Sequence, residues 1–257
     1  MPVDNELYNR MSELWWDENE VFSTLLLWLN PVRFGYFRRV LLEKLKIDPR
    51  GWGTLDVGCG GGLLAEEFAR LGCKVTGIDP SEHSLATARA HAQQSGLDIN
   101  YLSGMGEHLP FADASFAIVY CCDVLEHVSD LEQVISEIAR VLKPGGIFFY
   151  DTINRTLLSN LILVKMAQEW PATRFMPPNL HDWRQFIKPR ELTSLMRQYG
   201  LTNQGLRGMT PAANPITVLR TLLKRNRGEI SYAEAGKILR WQQSNNLMGS
   251  YMGYALK

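Results

Sequence analysis

Between residues 53 and 151, short apolar runs alternate with longer stretches in which apolar positions recur every three or four residues. The runs at 53–57, 74–79, 98–102, 116–121 and 146–151 predict strands, and the stretches at 62–71, 82–95 and 130–141 predict helices. Asp130 is a good N-cap for the last helix, and Lys143-Pro144-Gly145-Gly146 is a firm stop after it. Such alternation implies a parallel sheet with helices on both faces, in which ligands sit beyond the carboxyl ends of the strands. Before it, residues 4 to about 47 read as helical, with Pro31 breaking the pattern between 21–29 and 32–45. After it, 153–188 is irregular, Pro189 opens a helix that Gly200 closes, and a strand follows at 201–207. A second irregular stretch, 208–249, precedes a last strand at Ser250–Leu256. The pattern predicts a single α/β domain with seven strands, a helical lid at 4–47, a ligand-binding half at 50–152 and cap insertions at 153–188 and 208–249.

The first strand runs into a glycine turn, TLDVGCGGGL at 54–63. Gly58, Gly60 and Gly62 can take positive φ and let a ligand approach the backbone, and the following helix offers its free N–H groups. The acid ending the second strand, Asp79, stands where a Rossmann-like unit grips ribose hydroxyls. The dinucleotide pattern would need glycine at 63, and Leu63 is there instead. Asp56 at the strand end would repel a pyrophosphate but can accept from an amino acid's ammonium. An amino acid joined to adenosine describes S-adenosylmethionine. The turn resembles motif I of the class I methyltransferases, D-x-G-x-G-x-G, with Asp79 as that family's ribose-binding acid. The fold expected is therefore the Rossmann-like class I methyltransferase sheet. After the third strand, Met105 can lie on an adenine face, and Gly106 or Glu107 can read its edge. Arg33, just after Asn30-Pro31, can reach the methionine carboxylate.

The bulk properties narrow the partners. With 27 basic and 27 acidic side chains the formal net charge is zero, which argues against nucleic acid as the main partner. Cys59, Cys73, Cys121 and Cys122 lack zinc spacing and fall at buried positions, so they read as reduced thiols of an intracellular protein. The first apolar run has no basic leader, and no apolar stretch approaches the roughly 20 residues of a membrane span. A cytoplasmic protein with peripheral membrane contact is expected. The apolar stretch 157–166 is the candidate for that contact, whereas the basic residues at 224–227, within an amphipathic patch at 218–227, read as solvated surface.

After the fourth strand, Asp123, Glu126 and His127 are spaced i, i+3, i+4, so on a helical turn they share one face. That set could be a divalent-metal site, a general-base cluster or helix-capping contacts. The chain resembles the ubiquinone-biosynthesis O-methyltransferase family from end to end. The resemblance is carried by Trp15-Trp16-Asp17, the Asn30-Pro31-Val32-Arg33 element, the glycine turn, Leu125-Glu126-His127-Val128, Asn154-Arg155, His181-Asp182, Phe186-Ile187-Lys188-Pro189 and Asn214-Pro215-Ile216-Thr217. It implies that Arg33, Gly58, Asp79 and Cys122 contact the cofactor, and that Asp123, Glu126 and His127 hold Mg2+ or another divalent cation. It also implies a phenolic, polyprenylated quinone precursor as acceptor and a quinone-biosynthesis complex as partner. The family commonly shows Met-Glu where this chain has Cys122-Asp123, and the shorter carboxylate draws back by one methylene. A held cation would lower the phenol's pKa; without one, His127 or Glu126 could take the proton, with His181 in the roof as a second base. The competing expectations are a class I methyltransferase with an unrelated acceptor and a catalytically silent cofactor or lipid binder.

Overall fold

The computed structural model describes residues 9–257, so the part of the expected lid at 4–8, Tyr8 included, lies outside the described residues. The central sheet has eight strands in the order β3-β2-β1-β4-β5-β8-β6-β7. They are β1 (Gly53–Val57), β2 (Lys74–Asp79), β3 (Asn100–Ser103), β4 (Phe116–Cys121), β5 (Leu142–Ile153), β6 (Thr202–Pro211), β7 (Trp241–Ser244) and β8 (Ser250–Leu256). Strands β1 to β5 are parallel, and β8 runs antiparallel between β5 and β6. The expected α/β sheet is present with one more strand than the seven predicted. The extra strand, β7, pairs with the end of β6 from Gly208↔Ser244 to Pro211↔Trp241. Its sequence, Trp-Gln-Gln-Ser, has no apolar alternation, so only the pairing with β6 makes it a strand.

Period-two alternation places the core on both faces of the sheet. On β4 and β5, Ile118, Tyr120 and Phe149 pack with Phe37, Leu41 and Phe68 on one face. Their neighbours Val119, Cys121 and Phe148 pack with Val134, Ile138, Leu192 and Met196 on the other. Each such large side chain, fully buried, contributes about 1.5–3 kcal/mol. The helices flanking the parallel half follow the predicted ranges closely: Leu63–Arg70, Glu82–Gln94 and Leu131–Val141. Asp130 caps the last by accepting the Gln133 N–H at 3.0 Å.

The expected break at Pro31 is not there. Three helical segments, Thr24–Leu29, Asn30–Arg39 and Val40–Lys44, run on without interruption. Pro31 stands in the first turn of the middle segment. The turn before it is widened, with the Asn30 N–H donating to the Leu25 carbonyl five residues back, which makes room for the ring. This helical run packs Phe37 and Leu41 against one face of the sheet and brings Arg33 to Asp123, just after β4, and to Asp151 on β5. The first insertion forms the helical segments Leu157–Ser159 and Asn160–Glu169, and the second forms helices Pro215–Asn226 and Tyr232–Leu239. Among the described residues no helix is long and apolar enough to cross a membrane.

Candidate active site

Strand order reverses between β1 and β4, and a cavity of about 320 Å3 opens there. It is lined by Arg33, Asp56, Gly58, Gly60, Asp79, Met105, Glu107, Cys122, Asp123, His127 and His181. Of the residues nominated from the sequence, only Gly62 and Glu126 are absent from its wall. Gly58, Gly60 and Gly62 have φ of +76°, +49° and +83°. At Gly58 a Cβ would stand 2.3 Å from Val124 Cγ2, so the turn and the segment after β4 pack backbone to side chain. Gly62 faces the Tyr101 hydroxyl instead of the cavity, and its part is to turn the chain into the helix at Leu63.

Asp79 fixes the glycine turn: its Oδ2 accepts the Gly60 N–H and its Oδ1 the Ser81 N–H, both at 2.9 Å. Burial raises its carboxyl above the ordinary range. Asp56, 3% exposed, is pushed up much further by burial, with the charge of Asp79 adding to the effect. Met105 is half exposed at the cavity edge. Glu107 turns one oxygen inward, where Oε1 accepts from the Ser129 N–H at 3.1 Å and the Ser129 hydroxyl at 2.9 Å. The buried Cys122 closes the wall beside Arg33.

The acid–imidazole set differs from the expectation. Residues 122–128 form a tight, non-helical turn in which Asp123 takes φ +55°, so Asp123 does not share a face with Glu126 and His127. Its Oδ2 accepts from Arg33 Nη2 at 2.5 Å. His181, from the first cap insertion, takes the vacant place: single donor atoms of Glu126, His127 and His181 all lie within 4.8 Å of one another. The two imidazoles stack with centroids 5.1 Å apart. Burial pushes His127 down to about 4, and burial plus the neighbouring His127 pushes His181 well below its usual value, so both rings are neutral at pH 7. Glu126 is raised by burial first and then by the charges of Asp123 and Asp151; its Oε2 accepts the Thr152 hydroxyl at 2.8 Å.

Residues 55–150 match a family described as a methyltransferase domain. A ubiquinone biosynthesis O-methyltransferase of Caulobacter vibrioides is 40% identical over 223 residues, 84% of this chain and 86% of that protein. One of Paramagnetospirillum magneticum is 33% identical over 262 residues, 100% of this chain and 94% of that protein. The chain belongs to the ubiquinone biosynthesis O-methyltransferase family. It is thus an S-adenosylmethionine-dependent methyltransferase, as the resemblance in the sequence implied. The fold agrees: the crystal structure of an Aquifex aeolicus SAM-dependent methyltransferase superposes with a TM-score of 0.59 at 14% identity, covering 98% of each chain.

The donor of this enzyme class fits the residues present. Gly58 and Gly60 line the cavity along the turn, and the buried Arg33 Nε beside it has no hydrogen-bond partner. Asp123 is engaged by Arg33, whereas buried Glu126 Oε1 and His181 Nδ1 lack partners, so Glu126, His127 and His181 are the residues present that could hold a cation. Two further features were missed from the sequence. Asp151, fully buried at the end of β5, takes Arg33 Nη2 at 2.5 Å and the Asp123 N–H at 2.9 Å. The signal for it was an acid closing an apolar strand, the same signal that gave Asp56 and Asp79. The other is the seat of the two tryptophans of the leading segment. Trp15 covers Gly60 and Gly61 and donates to the Ser84 hydroxyl at 3.0 Å. Trp16 donates to the Gly61 carbonyl at 2.9 Å and stacks on His91 at 3.4 Å.

Proposed function

We propose that this family member transfers the methyl group of S-adenosylmethionine to a phenolic hydroxyl of a hydrophobic aromatic acceptor, a prenylated quinone precursor. The observation that carries the reading is one cavity whose wall combines polar and apolar groups. The glycine turn, Asp56 and Asp79 supply polar groups suited to a nucleoside amino acid. The same wall carries apolar Trp28, Leu163, Phe175 and Met176 and the imidazoles of His127 and His181. The names of the relatives support a quinone precursor over other phenols.

When bound, the donor supplies an electrophilic methyl on a sulfonium. Arg33, Gly58, Gly60, Asp56 and Asp79 would hold it, and Met105 and Glu107 in the same wall would meet its base. Alignment supplies much of the acceleration, because in-line displacement requires the nucleophile behind the carbon. A phenol with a pKa of about 10 is a poor nucleophile at neutral pH. His127, kept neutral by burial, is placed to accept the phenolic proton at a ring nitrogen, and neutral His181 can share it. Glu126, His127 and His181 are also the residues that would hold a divalent cation, which would lower the phenol's pKa. The exposed Leu157, Leu161 and Ile162 on the first cap insertion give a face for reversible docking to the membrane from which a prenylated acceptor would come.

The test is methyl transfer from labelled donor to a panel of catechols and hydroxyquinones, with magnesium and with chelator. Turnover confined to apolar phenols, lost in His127→Ala, is expected. Equal rates on amines or on no phenol at all would overturn the acceptor. Unchanged turnover in chelator assigns the proton to the imidazoles and removes the cation.

A further inference from the structure

We propose that Asp151 is a positioning residue that couples the donor contact Arg33 to the turn that carries His127. It does so through two contacts, one from each carboxylate oxygen. Oδ1 accepts the backbone N–H of Asp123 at 2.9 Å, and Oδ2 accepts from Arg33 Nη2 at 2.5 Å. The side chain is fully buried and does not line the cavity, so it acts on ligands only through these two neighbours.

Each contact fixes something the reaction needs. Asp123 is held at φ +55°, a left-handed conformation that L-residues adopt rarely and that persists only where the surroundings impose it. Because the register pairs Cys121 with Tyr150, Asp151 lies beside the chain just where β4 ends, in line to hold this kink. The kink drops Val124 onto Gly58 and lets the His127 N–H reach the Val124 carbonyl at 2.8 Å, which sets His127 against His181. At the other contact, Arg33 arrives from the leading helical run with Nη1 on Asn30 Oδ1 at 2.7 Å, and its Nη2 is shared by Asp123 and Asp151. Asp123 is 28% exposed towards the cavity, whereas Asp151 is the inner, permanent anchor. One buried acid thus sets both the guanidinium beside the donor and the turn that carries the proton acceptor. The inference rests on the reading of Arg33 as a donor contact and of His127 as facing the acceptor.

The test is a double-mutant cycle of Asp151→Asn and Asp123→Asn, read by thermal unfolding, by calorimetry with S-adenosylhomocysteine, and by kcat and KM on any phenol the wild type methylates. Asparagine at 151 keeps the shape and one acceptor oxygen but turns an amide N–H2 towards Arg33. Expected are a thermal midpoint within about 5 °C of wild type, affinity for S-adenosylhomocysteine about tenfold weaker, and kcat down about tenfold or more. Adding Asp123→Asn should then cost much less than it does alone, because the two act as one unit. A folded Asp151→Asn with unchanged affinity and kcat, or full additivity in the cycle, overturns the proposal. Should Asp151→Asn not fold, amide exchange in the wild type decides: slow exchange at the Asp123 N–H supports the anchor, and exchange at the rate of an open loop refutes it. Calorimetry and exchange need no acceptor, so a wild type inactive on every phenol would sink the acceptor reading while leaving this one to stand or fall by itself.

Discussion

Replacing Gly58 with alanine strikes the point where the donor turn meets the segment after β4. Alanine at φ +76° costs about 1–2 kcal/mol for the left-handed backbone alone. The new Cβ would stand 2.3 Å from Val124 Cγ2, where carbon contacts need roughly 3.5 Å, so Val124 must retreat by about 1 Å. Overpacking of that kind adds about 1–3 kcal/mol, giving a total loss of about 2–5 kcal/mol in urea unfolding. Because Val124 follows Asp123 and precedes Glu126 and His127, the shift reaches the turn proposed to carry the proton acceptor, and on that proposal a misplacement of that size costs on the order of a hundredfold in turnover. The double variant Gly58→Ala/Val124→Ala separates the two causes. Its nearest remaining side-chain contact is Val124 Cβ at 3.2 Å, so the steric share should return while the backbone share stays. A single variant within about 0.5 kcal/mol of wild type with normal turnover, or a double variant no better than the single, would refute the reasoning.

Three other outcomes follow from the same geometry. His127 sits at about 4 when folded against about 6.5 unfolded, so its contribution to stability is present above pH 6.5 and is lost as pH falls through 4. His127→Asn should therefore flatten the acid limb of urea midpoints between those values; an unchanged limb would show that the imidazole is not held neutral. The opposite sign holds for Glu126, whose burial raises its carboxyl: its contribution is full at acid pH and declines as pH rises through the elevated value, so Glu126→Gln should flatten the loss on the neutral side. Trp16→Ala removes the bond to the Gly61 carbonyl and the stack on His91, together about 1–3 kcal/mol, and should expose residues 9–22 to limited proteolysis while the sheet stays resistant. Cleavage no faster than in wild type would mean the tryptophan does not fasten this leading segment.

The alternation of short apolar runs with helical stretches was enough to place β1 to β5 and the three helices between them, because each element's period reflects its own backbone. The glycine turn was legible for the same local reason: the three positive-φ glycines and the acids at two strand ends are written into a few consecutive residues. Pro31 and β7 were not legible in this way. A widened turn lets the helix run through the proline, and Trp241–Ser244 becomes a strand only because β6 offers a free edge.

The acid–imidazole group shows the division most sharply. Sequence spacing chose Asp123, Glu126 and His127 as one face, on the premise of a helical turn. The folded chain separated Asp123 from that set, since Arg33 lies 90 residues earlier and Asp151 lies 28 residues later, and burial makes their charges answer to one another. The same packing brought His181 against His127 from a cap insertion 54 residues away. What the order of residues determined about this protein is the parallel half of the sheet and the kind of nucleoside it takes. Which acid meets Arg33, which imidazole faces which, and what holds Asp123 in its kink were decided by long-range electrostatics and packing, which exist only once the strands and insertions have come together.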